Sequence, residues 1–353
     1  MNICIVGQYP PQLGGVSTYT KQLEDKLVEE GHNVFVLTYK QDERISENVY
    51  MANSINIPLL RGISFIVSSY FMLNKIVKEH DIDIIHANYI LPPGLVCVLN
   101  KSKAKKIITA HGSDINILPN NKILRPLIKF ILNKADALYF VSEKLEEKAF
   151  EICGNTIKEK TSITPNTVNT KKFKPKSSKK TLYTQYQTPI VMFIGNLVEQ
   201  KGLTYLLEAK KIAKSEYTLL IYGDGPQKEI LEKFIEDNNL KNTHLMGKTR
   251  EPEKIIPEAD IMVLPSISEG ASIVALESMS CEKTLIATDT GNISNIITNH
   301  KDGIIIPPKN PQLLSEAIDE IVSNENKRKE IGKNARELII NKYSNMNIPY
   351  LQK

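Results

Sequence analysis

Two Rossmann-like α/β halves in one chain are the predicted fold, on three observations. Short apolar runs alternate with helical stretches, the alternation is completed twice, and a polar lysine-rich segment separates the two rounds. In the first half the spacing predicts strands at 3–7, 33–38, 84–87, 106–110, 137–141 and 162–164. Apolar residues run almost without a break inside them, as in parallel strands buried on both faces. Between the first two, Val16, Tyr19, Leu23 and Leu27 fall on one helical face and Gly31 supplies the stop. The second half repeats the scheme with strands at 190–195, 218–222, 244–246, 261–264, 285–287 and 303–306. Helices are predicted between and after them at 203–215, 227–238, 272–280, 312–324 and 326–341. The domain expectation is therefore 1–165, a linker at 166–189, a second domain at 190–341, and a tail at 342–353 returning towards the first. Two such domains are expected to face each other across a cleft, with ligand at the carboxyl ends of the strands.

Composition narrows the function classes. A chain of 353 residues with 41% hydrophobic and 24% charged residues is ordinary for a globular enzyme of two domains. No apolar run reaches the roughly eighteen residues of a membrane span. The longest, 62–73, is interrupted by Ser64, Ser68 and Ser69. The amino terminus reads as a first strand, not a signal peptide. Cys4, Cys97, Cys153 and Cys281 are scattered, which argues against a zinc site and fits a reducing cytosol. Residues 1–175 hold 22 Lys and Arg against 17 Asp and Glu, while the rest hold 23 of each. The net +5 thus sits on the first half, too weak for nucleic acid but suited to an anionic membrane leaflet. Tyr222–Pro226 (YGDGP) lacks the third glycine and the acid of a dinucleotide loop, and no P-loop is present. Asp81 and Asp83 form a DxD that precedes its strand, the wrong end of a parallel sheet for a metal-bound substrate.

Four segments carry chemistry. In 261–280 a buried strand ends at Leu264; Glu269 and Gly270 lead into a helix that contains Glu277. Carboxylates there can accept from sugar hydroxyls, and free amides at Ser272, Ile273 and Val274 suit a diphosphate. Glutamates near a helix start also simply favour its dipole, an equally good reading of this segment alone. Lys201 follows the strand of 190–195 and can put a point charge on a phosphate, or be a solvated lysine. Gly14 and Gly15, between the first strand and first helix, allow close backbone approach to a phosphate or serve the turn alone. His111, Gly112, Ser113 and Asp114 follow the fourth strand at the end where ligands bind.

Taken in order, the GGV after strand one, the HG at His111, the PN at Pro165–Asn166, the KG at Lys201–Gly202, GDGP, and Glu269 with Glu277 eight residues on resemble glycosyltransferase family 4. The resemblance spans nearly the whole chain and implies the GT-B fold and a retaining sugar-nucleotide-dependent transferase. It implies that Gly14 and Gly15 pack on the donor diphosphate and that His111 lies beside the transferred sugar. By the same resemblance Lys201 neutralises the leaving group, Glu269 holds sugar hydroxyls, Glu277 holds the ribose, and amides near Ile273 and Val274 complete the phosphate cradle. No cofactor and no essential metal are implied. The chain departs from the pattern at Asn196, where the family often has Arg, at Glu282, where Gly is common, and at 291–295, where GNISN replaces GGxPE.

Expected partners are a nucleotide-sugar, UDP-linked first and GDP-mannose second, and a glycan or lipid-linked acceptor. Lys122, Arg125, Lys129 and Lys134 interleave with Ile123, Leu124, Leu127, Ile128, Ile131 and Leu132. That pattern fits a basic amphipathic helix on an anionic bilayer, or one packed on the sheet with its basic face in water. The expected location is the cytoplasm, at the inner face of the cell membrane if the first holds. A catalytically weak partner subunit, favoured by Asn196, and a sugar-nucleotide epimerase on the same scaffold are the alternatives.

Overall fold

The computed structural model describes residues 1–12, 14–41, 46–54, 60–176, 182–186 and 188–352. These form two compact units: Met1–Pro165 together with Met346–Lys353, and Asn166–Asn345. Of the segment expected as a linker, 177–181 and 187 lie outside the described residues. The rest of it is no free tether, because Val168, Phe173 and Tyr183 are buried in the core of the second unit. Val168 N–H donates to Tyr343 O at 2.9 Å, Ser280 Oγ donates to Phe173 O at 2.6 Å, and Lys176 pairs with Glu258 at 2.7 Å.

The strands of the first unit are β1 (Asn2–Gly7), β2 (Asn33–Tyr39), β3 (Val49–Ala52), β4 (Ile84–Asn88), β5 (Lys105–Ala110), β6 (Ala137–Phe140) and β7 (Thr161–Ile163). They pair in parallel in the order β3-β2-β1-β4-β5-β6-β7. The second unit has β8 (Ile190–Ile194), β9 (Thr218–Tyr222), β10 (Thr243–Gly247), β11 (Ile261–Leu264), β12 (Thr284–Thr288) and β13 (Ile304–Ile306). Their order, β10-β9-β8-β11-β12-β13, is again all parallel. In each sheet the winding reverses once, between β1 and β4 and between β8 and β11. At that point neighbouring connections leave on opposite faces and open a crevice beyond the carboxyl ends.

The same device stands at the reversal in both units and recurs once between β5 and β6. Asp83, Asp136 and Asp260 each stand one residue before a strand. Asp83 N donates to Asn2 O at 2.8 Å while its carboxylate accepts from Asn2 N at 2.8 Å. Asp136 bonds Lys106 in the same reciprocal way, at 2.8 and 2.7 Å, and Asp260 bonds Ile190, at 2.9 and 2.8 Å. The Asp83 of the DxD is thus a clip at the amino end of the first sheet.

Two elements depart from the sequence expectation. β3 is a four-residue edge strand, and a 21-residue helix occupies Leu60–His80. Two of its serines are tied to backbone: buried Ser69 donates from Oγ to Phe65 O, and Ser68 Oγ accepts from Asn53 N at 2.9 Å. No helix among the described residues is long and apolar enough to cross a membrane. The basic helix Leu124–Lys134 buries Ile128, Ile131 and Leu132 on the first unit. Half of its expected apolar face is therefore spent on packing, while Ile123 is 83% exposed beside the exposed lysines.

Candidate active site

In the second unit the loops that leave β8 and β11 meet at the reversal point. Residues 199–201 form a 3-10 turn ended by Gly202, whose φ of 64° lies in the left-handed region. A Cβ on Gly202 would stand 2.1 Å from Pro265 O, so only glycine lets this turn lie against the β11 loop. Ile267 N donates to Gln200 O at 2.7 Å and bolts the two loops together. Lys201 Nζ and Glu269 Oε2 are thereby held 2.5 Å apart, and Ser266 Oγ donates to the same carboxylate oxygen at 3.0 Å. Both side chains are largely covered but still reach solvent, at 24% and 15% exposure.

Other loops brace this corner. Asn166 Nδ2 donates to Ala271 O at 3.0 Å, so the Pro-Asn motif pins the chain just after Gly270. Gly291 has φ 61°, and a Cβ there would come within 2.4 Å of Gly270 O and 2.9 Å of Glu269 O. Thr288 Oγ1 donates to Ser266 O at 2.6 Å. The GDGP turn lies on the β8 loop, since a Cβ on Gly223 would meet Gly195 O at 1.9 Å and one on Gly225 would meet Leu197 O at 2.4 Å. Asn196 is exposed at the tip of the β8 loop. Lys201, Glu269, Asn196 and Gly270 are thus gathered on one set of interlocked loops. Asn166, Ser266 and Gly291 are supporting residues that the candidate residues of the sequence did not include.

The helix Ile273–Ser280 begins behind Glu269. Ser272 is its N-cap, with Oγ accepting from Ala275 N at 3.4 Å, so the hydroxyl is occupied by the helix itself. Ile273 is buried and Val274 half-buried in the first turn. Glu277 lies one turn deeper at 5% exposure. Burial pushes its carboxyl up to about 8; Lys172 opposes this and Glu253 adds to it. Glu277 is accordingly protonated in the ligand-free protein at neutral pH. The helix ends in a Schellman motif, with Lys283 N bonded to Ser278 O and Glu282 N to Met279 O, both at 3.1 Å. That places Glu282 at φ 59°, which explains why a glycine suits its position.

In the first unit Gly14 takes φ 141° at the start of the helix Gly15–Glu29, and a Cβ on it would meet nothing within 4 Å. The glycine is needed for the backbone angle, and the space above it is open. His111 follows β5 and is fixed from two sides. Tyr19 meets its ring edge-on, with centroids 4.6 Å apart. Asp114 is fully buried and accepts from Gly112 N at 2.8 Å, His111 N at 3.1 Å and Ile90 N at 3.3 Å. Burial nevertheless raises the Asp114 carboxyl to about 6. It also lowers the His111 imidazole to about 3, so the ring is neutral across the physiological range. His111 Nε2 has no hydrogen-bond partner among the described residues. Asp114 is the anchor of this loop, and Tyr89, after β4, joins it by a hydroxyl bond to Ser113.

Two parallel-sheet units of this strand order are the Rossmann-like units of the GT-B fold. Residues 13–172 match the model of Glycosyltransferase Family 4, and residues 175–338 match that of glycosyl transferases group 1. A glycosyltransferase of Methanocaldococcus jannaschii is 31% identical over 96% of this chain and 93% of its own length. The chain belongs to glycosyltransferase family 4 and is a glycosyltransferase. Among solved structures, sucrose-phosphate synthase of Thermosynechococcus elongatus superimposes with a TM-score of 0.84 at 21% identity, covering 97% of this chain and 94% of that one. Anabaena HepE in complex with UDP-glucose gives 0.81 at 17% identity, over 97% and 95%. At these identities the likeness speaks for the fold.

Proposed function

We propose that this transferase takes a sugar from a nucleotide-sugar, a UDP-sugar first and GDP-mannose second, and passes it with retention of configuration to a glycan or lipid-linked acceptor. The observation that carries the reading is the Lys201–Glu269 pair at the reversal point of the second sheet. An ammonium and a carboxylate side by side match a substrate with a diphosphate at one end and hydroxyls at the other. Anabaena HepE has been crystallised with UDP and with UDP-glucose, and Staphylococcus aureus TarM with UDP, which supports a UDP donor here. A Campylobacter jejuni relative, 29% identical over 48% of this chain, is named for an undecaprenol-linked substrate, which supports a lipid-linked acceptor.

In this reading Lys201 takes the charge of the departing diphosphate, aided by the amides of Ser272, Ile273 and Val274 and by the amide of Asn196 in place of an arginine. Glu269 and Gly270 hold the sugar, and Glu277 holds the ribose. Gly14 and Gly15 offer backbone to the diphosphate, and neutral His111 contacts the transferred sugar. The acceptor oxygen bonds to the anomeric carbon on the face from which the phosphate oxygen departs, and the acceptor proton passes to the departing diphosphate. Catalysis is then positioning plus charge stabilisation, with no resident metal or cofactor. The enzyme would work in the cytoplasm, in peripheral contact with an anionic leaflet. The basic exposed residues Lys122 and Lys129 and the exposed Ile63, Val67 and Phe71 support that contact.

A thermal-shift screen of UDP, GDP, ADP and their sugars tests the donor. Ligand at about a hundred times its dissociation constant adds about 2.7 kcal/mol, a visible shift. No shift with any nucleotide would remove the reading. Sedimentation with anionic and neutral liposomes tests the contact, and equal recovery in the supernatant would remove it.

A further inference from the structure

We infer that Glu269 expels the spent nucleotide: its carboxylate competes with the diphosphate for Lys201, so that the site prefers the intact donor to the nucleoside diphosphate product. The inference rests on the donor reading above. In the ligand-free protein Lys201 Nζ is already engaged by Glu269 Oε2 at 2.5 Å, and Lys201 has no other acidic partner among the described residues. The pair is built in. Ser266 holds the carboxylate from the other side at 3.0 Å. The backbones carrying the two charges are bolted by the Ile267–Gln200 bond at 2.7 Å and by the contact of Gly202 with Pro265 O. A ligand must therefore break the pair by turning side chains, because the loops themselves have little room to part.

The consequences differ for donor and product. When an intact donor enters, its diphosphate takes the ammonium and its sugar hydroxyls take the released carboxylate. Both charges exchange one partner for another, and the cost of breaking the pair is offset twice. When the nucleoside diphosphate enters alone, the ammonium is satisfied but the largely covered carboxylate exchanges a cation for an anionic neighbour and keeps only the Ser266 hydroxyl as a donor. Neighbouring like charges repel, and a covered carboxylate that has lost its counter-charge is costly. Once the sugar has been transferred, the ligand on the enzyme changes from the first kind to the second. Glu269 then returns to Lys201 and weakens the hold on the product.

The test compares UDP and UDP-glucose binding by calorimetry in the wild type and in Glu269→Gln, with product inhibition by UDP as a second readout. Glutamine keeps the shape and still accepts hydrogen bonds but carries no charge, so its hold on the ammonium is weaker. Freed of its competitor, Lys201 should bind UDP at least about fivefold tighter, the equivalent of a partly covered ion pair of about 1 kcal/mol. UDP-glucose should bind no tighter, so the preference for donor over product falls. Glu269→Asp, whose shorter carboxylate draws back from the ammonium, should move UDP in the same direction by less, and covers the case in which the glutamine variant does not fold. UDP affinity that is unchanged or weaker in the folded variants, with UDP-glucose binding weakened, overturns the inference and leaves the donor reading standing. If neither UDP nor GDP nor their sugars bind even the wild type, the donor reading fails, and the inference with it.

Discussion

Replacing Glu277 by glutamine should make the protein more stable, and increasingly so as the pH rises. The carboxyl is pushed from an ordinary 4.5 to about 8 by burial, with Lys172 opposing and Glu253 adding. Between these two values the folded protein holds a proton that the unfolded chain has released. Stability from this group is fully present below 4.5 and is lost as the pH climbs through 8, the sign expected of a raised carboxyl. The loss approaches about 1.4 kcal/mol per pH unit inside the window, or about 5 kcal/mol across it. Glutamine has the shape of the protonated acid and nothing to ionise, so the variant escapes that loss. For a unit of this size the gap in unfolding temperature should widen to about 10 °C or more at about pH 8.5 and nearly close at about pH 5. Thermal unfolding of both proteins at several pH values reads it directly. Parallel stability curves from acid to alkali would show that Glu277 is not held protonated, and the account of its environment would fall.

Three further outcomes follow from particular contacts. Glu282→Gly should stabilise the protein by about 0.5–1 kcal/mol in urea unfolding, because glycine removes the left-handed penalty at φ 59°. Its loss of the 3.9 Å contact with Arg336 is minor, being partly exposed. Asp114→Ala leaves the amides of His111, Gly112 and Ile90 without their acceptor. It should cost about 2–4 kcal/mol and lower kcat more than it raises KM, if the His111 loop takes part in the reaction. Tyr350→Phe removes the 3.3 Å bond to His86 but keeps the ring packing. It should cost about 1 kcal/mol by urea midpoint, against about 3 kcal/mol or more for Tyr350→Ala.

The strands were legible wherever both faces are buried, because an unbroken apolar run such as that of β8 or β11, short and closed by turn residues, fits little besides a buried parallel strand. The edge strand β3 escaped because its Tyr50 and Met51 are only half-buried and its run is four residues long. The helix Leu60–His80 escaped because its serines read as interruptions, when in fact Ser68 and Ser69 bond backbone groups beside them. At the site, Lys201 and Glu269 could be found as polar residues at the ends of predicted strands. Their pairing could not, because 68 residues separate them and only the reversal of strand order joins their loops. The same holds for Asn166 on Ala271, 105 residues apart, and for Gly291, which looked like part of an altered motif and is in fact a contact-limited glycine. Asp114 was visible as a residue beside His111. Its work on three amides depends on where β4 and β5 lie together.

The last residues of the described chain belong to the first unit, where Tyr350 donates to or accepts from His86 and stacks on Tyr139. During synthesis this inverts the usual sequence of domain completion. Residues 166–345 can emerge and close their own sheet while the unit begun before them still lacks its final side chain. His86, buried in the completed unit, faces an incomplete wall until Tyr350 has joined it. Of these two units, the one begun first is the one completed second.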